Sequence, residues 1–328
     1  MNKLVNKWRL IDNEMAQVEQ CLQRVIETAG PEIAEVGSYI FNGTGKRVRP
    51  ALFLLAAYSP RQRPAQYVEG ATALELIHTA SLLHDDVIDQ AATRRGKDAV
   101  HVRWNNKISV LTGDYLLSQA FKKLVGYHDW RLMDIVVGIV QNMTEGEIEQ
   151  AFATTETDLL EEKYFNWIGK KSASFFAGCC RAGSLLAGED RDKQDLWSQF
   201  GFNLGIAFQL IDDLLDYTGA GKVIGKPLYG DLNNRVITLP LIRTLHESSE
   251  IRKTEPIGRI LHDDRVSANQ ISALAQAVLE GDGPAYTYSK AEEYVKRAEA
   301  LIEEINPLGP NKKEALLELT RDVLRRKK

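Results

Sequence analysis

The chain has 328 residues, 44% of them apolar and 26% charged, and a net charge of −4. That balance suits a globular protein with a substantial core and excludes both default disorder and a nucleic-acid binder working through bulk positive charge. Its three cysteines (Cys21, Cys179 and Cys180) are odd in number and lack C-x-x-C spacing, so they read as small buried hydrophobes, not as disulfides or a zinc site.

Leu4, Trp8, Ile11, Met15, Val18, Leu22 and Val25 alternate spacings of four and three, which predicts an amphipathic helix ended by Gly30-Pro31. Next comes Gly43-Thr44-Gly45-Lys46-Arg47-Val48-Arg49-Pro50, a glycine-rich turn with three cations. It lacks the P-loop pattern, yet glycines let a backbone approach an anion and Lys and Arg match phosphate oxygens.

A helix is predicted from Ala71 to about Ala91, carrying Glu75, His78, Ser81, Asp85, Asp86 and Asp89. Its apolar run leads into D-D-x-x-D, with Arg94 and Arg95 at the helix end. His78 lies on the same stripe as Asp85 and Asp89, which leaves open a ligand-binding and a core role. Helical periodicity continues over 108–126, 131–153 and 163–186, the last holding Lys170-Lys171-Ser172 beside small residues that permit close helix contact. Residues 195–217 carry a second D-D-x-x-D at Asp212, Asp213 and Asp216. A loop with Gly225-Lys226-Pro227 follows, then two or more helices with the stripe Tyr288, Ala291, Tyr294, Val295, Ala298, Leu301 and Ile302. Leu261-His262-Asp263-Asp264 lacks a third aspartate and reads as a solvated turn. No sustained strand alternation is visible, and no stretch approaches the ~18 apolar residues of a membrane span. With no apolar leader at the start, the expected location is cytoplasmic.

Twenty aspartates in the chain predict roughly 0.07 chance D-D-x-x-D matches, against two observed. In each motif the first and last aspartates stack on one helix face and the middle one flanks them by about 100°. Such carboxylates repel one another unless a hard cation joins them, and Mg²⁺ is commonly held by one or two carboxylates plus water and substrate phosphates. Facing Lys and Arg clusters inside an apolar helical body, they imply a diphosphate attached to something greasy. Departure of diphosphate from an allylic carbon in a dry cavity is the matching chemistry.

With these pieces in order, the chain resembles the trans-isoprenyl diphosphate synthase (polyprenyl synthetase) family along most of its length. The carriers are G-T-G-K-R-V-R-P (43–50), E-L-I-H-T-A-S-L-L-H-D-D-V-I-D (75–89), R-R-G (94–96), L-T-G-D-Y-L-L-S (111–118), G-E-I-E-Q (146–150), K-S-A (171–173), F-Q-L-I-D-D-L-L-D-Y-T-G (208–219), G-K-P (225–227), G-D-L (230–232) and T-L-P-L-I (238–242). The resemblance implies an all-α fold, a single large helical bundle (1–328) around a deep central cavity. It further implies a homodimer, with a small regulatory subunit as another partner, condensing isopentenyl diphosphate onto an allylic diphosphate with three Mg²⁺ per site. By matched position, Asp85, Asp89 and Asp212 would be the main Mg²⁺ ligands, supported by Asp86, Asp213 and Asp216. Arg94, Lys171 and Lys226 would hold the allylic diphosphate; Lys46, Arg49, His78 and Arg95, with Arg47 nearby, would hold isopentenyl diphosphate. Gln209 and Ser172 would sit near the reacting carbons, Ser172 standing where the family commonly has Thr.

One departure stands out: Val236 occupies the usual lysine position of D-L-x-E-G-K-x-T-L-P, so that contact is missing or moved to Arg235. Loss of that lysine is similar to the catalytic component of two-part heptaprenyl diphosphate synthases. Ala80 and Ser81, one turn below Asp85, are small where short-chain members place an aromatic plug. An open floor there predicts a medium or long product, of about C30 to C40 or more, unless the two residues merely serve helix packing. The intact second motif and the Lys46–Arg49 loop count against a terpene cyclase. The full set of motif aspartates counts against a non-catalytic subunit, and the apolar helical surroundings against a phosphohydrolase.

Overall fold

The computed structural model describes residues 9–42, 45–58, 65–152, 160–219, 229–247, 267–306 and 309–326. Its helices are α1 (Asp12–Glu27), α2 (Pro31–Phe41), α3 (Val48–Ala57), α4 (Ala65–Ile88), α5 (Val100–Arg103), α6 (Asn106–Val125), α7 (Trp130–Ala151), α8 (Leu160–Ile168), α9 (Ser174–Leu186), α10 (Arg191–Thr218), α11 (Gly230–Asn233), α12 (Leu239–Glu247), α13 (Ala268–Glu280), α14 (Gly283–Ile305) and α15 (Pro310–Leu324). The strands β1 (Thr93–Arg94) and β2 (Lys97–Asp98) form one short antiparallel hairpin. The protein is an all-α bundle, as expected.

Packing follows apolar patterning. On α4, Ala71, Ala73, Leu74, Leu76, Ile77 and Ala80 are all buried, so this helix is apolar around its circumference and sits centrally, against α6, α1 and α3. The long α10 packs between α9 and α14, and α9 also meets α3. Ala291, Val295, Ala298, Leu301 and Ile302 of the predicted stripe are buried on α14, while Tyr288 faces outward. Cys21, Cys179 and Cys180 are free and buried.

Local chemistry sets the boundaries. Pro31 starts α2, Asp129 and Asp190 cap α7 and α10 through backbone N–H groups at 3.0 and 2.9 Å, and Ser267 with Gln270 forms a capping box on α13. The first helix begins at Asp12; Leu4 and Trp8 lie outside the described residues, as do Gly43, Thr44, Lys226 and the 261–264 segment.

Helix α4 stops at Ile88, short of the predicted Ala91. Gln90 takes a left-handed φ of 50°, and the Gln90 and Ala91 N–H groups return to Val87 and Asp86 carbonyls, a Schellman closure. Arg95 and Gly96, at φ 53° and 75°, then make a tight two-residue turn between β1 and β2. The arginines expected at a helix end therefore ride on a hairpin.

The predicted 163–186 helix is interrupted by a π-helical turn, Gly169–Ala173. Two neighbours press on it closely. A Cβ added to Gly146 of α7 would lie 2.7 Å from the Lys171 nitrogen, and one on Gly205 of α10 would lie 2.6 Å from Ala173 Cα. Only glycine permits this approach, which seats the turn between two helices.

Candidate active site

Helices α4, α6, α7 and α10, the π-turn, the 45–49 segment and the hairpin surround a cavity of about 1150 Å³. Ile77, Leu82, Leu117, Val140, Met143 and Phe208 supply its apolar lining, and the two aspartate motifs reach it from α4 and α10.

The six carboxylates are not equivalent. Asp85 and Asp212 line the cavity. Asp86 is buried and accepts from Arg94 Nε at 2.7 Å and from Arg94 Nη2, so it holds a cation in place instead of facing the cavity. Asp213 is buried too, accepting from Tyr164 Oη at 2.6 Å and Gln209 Nε2 at 2.7 Å. Asp216 accepts the Asp231 backbone N–H at 3.0 Å, and Asp89 stands exposed where α4 ends. The stacking expected from spacing holds, yet partners elsewhere in the fold claim four of the six, Asp212 among them through Arg326 at 2.9 Å.

Desolvation pushes the Asp85 carboxyl up to about 7; Lys171 opposes this, while Glu147 and Asp89 add to it. Desolvation raises Asp89 as well. Asp85 is a crowded, poorly hydrated carboxylate with exposed Asp89 one turn on, the donor pair a hard cation stabilises. Among the described residues no three acidic, His or Cys side chains converge as a complete ligand set. A cation here would complete its shell with water and substrate oxygens, as Mg²⁺ commonly does.

The opposite charge comes from several segments. Lys46, Arg49, Arg94, Arg95 and Lys171 all line the cavity. Arg49 approaches His78 Nε2 through Nη1 at 3.1 Å, and its guanidinium lies 4.9 and 5.1 Å from the Phe175 and Phe176 ring centres. Burial, then Arg49 and Arg95, hold His78 well below its ordinary pKa, so it is neutral and its Nε2 accepts from Arg49. His78 thus meets a basic side chain, and its ring meets Phe175 edge-on.

Arg47 also lines the cavity, but its guanidinium is engaged by carboxylates. Its left-handed φ of 49° turns it inward, where Nη1 meets Glu75 at 2.6 Å and Nε and Nη2 meet Glu19 at 2.6 and 3.1 Å. All three guanidinium nitrogens therefore face carboxylates, anchoring the segment that presents Lys46 and Arg49.

On the π-turn, Lys171 pairs with Glu147 and reaches Gln150 Oε1 at 3.2 Å. Ser172 Oγ donates to Gln209 Oε1 at 2.7 Å, continuing through Asp213 to Tyr164. A relay of four side chains thus ties the turn to α10 and α8. Ser81 lines the cavity as expected, but Ala80 is fully buried in the core and does not, since one residue is about 100° of rotation on a helix. Val236 is half-buried, and Arg235 beside it is exposed in left-handed backbone.

Sequence reasoning gave no role to Glu75, Glu147, Tyr164 or Arg326. Glu147 lay in the quoted G-E-I-E-Q stretch without a role. Arg326 lies just past α15 and pairs with Asp212 at 2.9 Å. A basic run marks its position, with no local sign of its partner.

The helical fold and this charge arrangement define the class, an isoprenoid-synthase-type enzyme that handles diphosphates. Residues 30–281 match the polyprenyl synthetase family. Octaprenyl diphosphate synthase of Escherichia coli (strain K12) is 35% identical over 240 residues, 73% of this chain and 74% of that protein. Heptaprenyl diphosphate synthase component 2 of Geobacillus stearothermophilus is 31% identical over 303 residues, 92% of both chains. A crystal structure of polyprenyl synthase from Caulobacter crescentus CB15, complexed with calcium and isoprenyl diphosphate, matches with a TM-score of 0.92 at 30% identity, covering 99% of this chain and 98% of that one. The chain belongs to the polyprenyl synthetase family, and it is a prenyltransferase.

Proposed function

We propose that this enzyme condenses isopentenyl diphosphate head-to-tail with an allylic diphosphate, in the presence of Mg²⁺, to make a medium or long all-trans polyprenyl diphosphate. The observation that carries the reading is one cavity in which Asp85 and Asp212 face a set of Lys and Arg side chains above apolar walls. The calcium and isoprenyl diphosphate named for the Caulobacter structure support the same pairing of divalent cation and diphosphate.

Asp85, Asp89 and Asp212 would hold the cations. When bound, Mg²⁺ neutralises the allylic diphosphate and makes it a competent leaving group. Arg94, fixed by Asp86, and Lys171, fixed by Glu147, direct positive charge at that diphosphate. Lys226 belongs to this set by motif position. Lys46, Arg49 and Arg95 offer charge to the second diphosphate, with neutral His78 orienting Arg49. Ser172 and Gln209, locked to each other, border the reacting carbons, and the apolar walls exclude water from the developing cation. The departing diphosphate takes the final proton.

Small Ser81 on the cavity wall supports a product of about C30 to C40, because it leaves room for a growing tail to pass Asp85. The names of the heptaprenyl and octaprenyl relatives point the same way. The chain acts as a single domain and a homodimer. Exposed Val110 and Leu111 on α6 and Trp130 and Val137 on α7 support such pairing. No helix among the described residues is long and apolar enough to cross a membrane, and we place the enzyme in the cytoplasm. The test is an assay of the purified chain with Mg²⁺, labelled isopentenyl diphosphate and farnesyl diphosphate, resolving products by length. A ladder ending near C30–C40 supports the reading; no product from the chain alone, restored by a second subunit, points instead to the two-component arrangement suggested by Val236.

A further inference from the structure

Arg326 reaches the same cavity as the aspartate motifs, although it belongs to neither of them and to none of the family stretches quoted above. Its Nη2 donates to Asp212 Oδ1 at 2.9 Å, and its guanidinium carbon sits 3.8 Å from the centre of the Phe208 ring, one turn earlier on α10. The remaining nitrogens, Nε and Nη1, are buried with no hydrogen-bond partner among the described residues. Arg49, on the same cavity, likewise has a buried, unpartnered Nε.

Buried guanidinium N–H groups without acceptors are costly, and a guanidinium offers five donors in a planar fork. Asp212 satisfies one nitrogen and leaves two. Carboxylate and phosphate oxygens fit that fork, and Arg49 and Arg95 on the same cavity favour an anion with more than one charge. Asp212 is also the carboxylate that a cation would require, so it cannot serve both partners fully.

We propose that Arg326 is a substrate-binding residue held in reserve by Asp212. A divalent cation arriving with a diphosphate exchanges the partners: Asp212 turns to the cation and Arg326 to diphosphate oxygens. This rests on the reading of Asp212 as a cation ligand. It makes binding cooperative, because a cation alone must displace Arg326, whereas a cation with diphosphate gives the arginine a new acceptor.

The test uses the full-length protein stripped of metal, with Mn²⁺ and inorganic diphosphate as probes in equilibrium titrations. Arg326→Gln should bind Mn²⁺ alone roughly five-fold more tightly, the effect of removing one partly exposed ion pair. With Mn²⁺ saturating, the same variant should bind diphosphate roughly ten-fold more weakly, and Arg326→Lys should restore part of that loss. The opposite signs separate an exchange from a structural role, since damage to the fold lowers both affinities. If Arg326→Gln does not fold, Asp212→Asn carries the test: releasing the arginine should tighten cation-free diphosphate binding. Unchanged or weaker Mn²⁺ binding by Arg326→Gln, unchanged diphosphate binding by it, or no gain in Asp212→Asn would overturn the proposal. A wild-type chain that forms no prenyl product would sink the proposed function, while the exchange would still be decided by these affinities.

Discussion

Replacing Glu75 by Gln removes one of the two carboxylates on Arg47 without changing the shape of the side chain. The Arg47 and Glu75 side chains are 7% and 3% exposed, against 51% for Glu19. Removing one partner of a buried ion pair costs about 3–5 kcal/mol when the other charge is stranded. Arg47 is not wholly stranded, because Glu19 still accepts from Nε and Nη2. The expected cost of Glu75→Gln is therefore about 2–3 kcal/mol, against about 0.5–1 kcal/mol for Glu19→Gln in its half-exposed setting. Urea unfolding of the two variants beside wild type measures both. Function should follow: Arg47 anchors the turn that presents Lys46 and Arg49, so the KM for isopentenyl diphosphate should rise about ten-fold in Glu75→Gln, with a smaller change in kcat. Equal costs for the two variants, or a loss under 1 kcal/mol for Glu75→Gln, would refute the claim that this buried pair holds the loop.

Four further outcomes are expected. Ser81→Phe should shorten the longest product by at least one isoprene unit, resolved by thin-layer chromatography after dephosphorylation. Ala80→Phe should instead overpack the core, at a cost of about 1–3 kcal/mol in chemical unfolding, with product length retained. Gly146→Ala should drive a methyl group onto the Lys171 backbone, lowering kcat about ten-fold or more while the helical circular dichroism stays near wild type. Lys312, buried with its ammonium on the Ala56 and Tyr58 carbonyls, is held down by desolvation to about 8 from its ordinary 10.5. Between those pH values the unfolded chain carries a proton that the native chain lacks, so this residue makes stability rise with pH across that window. The carbonyls and the Trp197 ring at 4.9 Å favour the charged form, which makes the rise smaller than the full shift implies. The stability of wild type relative to Lys312→Met should increase from pH 8 to 10; a flat or falling difference would show that burial does not lower the Lys312 pKa.

Much of the architecture was legible because it rests on local rules. The apolar period of 3.6 located the main helices of the two motifs, and Gly30-Pro31 marked a boundary that the fold keeps. Where prediction ran long, a local left-handed residue intervened: Gln90 stopped α4 early, and Arg95 with Gly96 made a hairpin from two-residue strands too short to leave a periodic signal. The π-turn left none either, since it arises where α7 and α10 press their glycines against one stretch of backbone.

The sequence by itself determined the chemistry: two D-D-x-x-D runs in apolar helices and clustered cations imply cation-assisted handling of a diphosphate, because side-chain type and helical spacing alone bring those groups to common faces. Tertiary structure alone decided which members of each cluster are available. Asp85 and Asp212 face the cavity, whereas Asp86 holds Arg94, Asp213 meets Tyr164 and Arg47 meets Glu75. It also brought Arg326 to Asp212, across more than a hundred residues of chain. A buried charge must find a partner wherever the packing puts one, and that partner's place in the sequence is set by how helices cross, which no local pattern records.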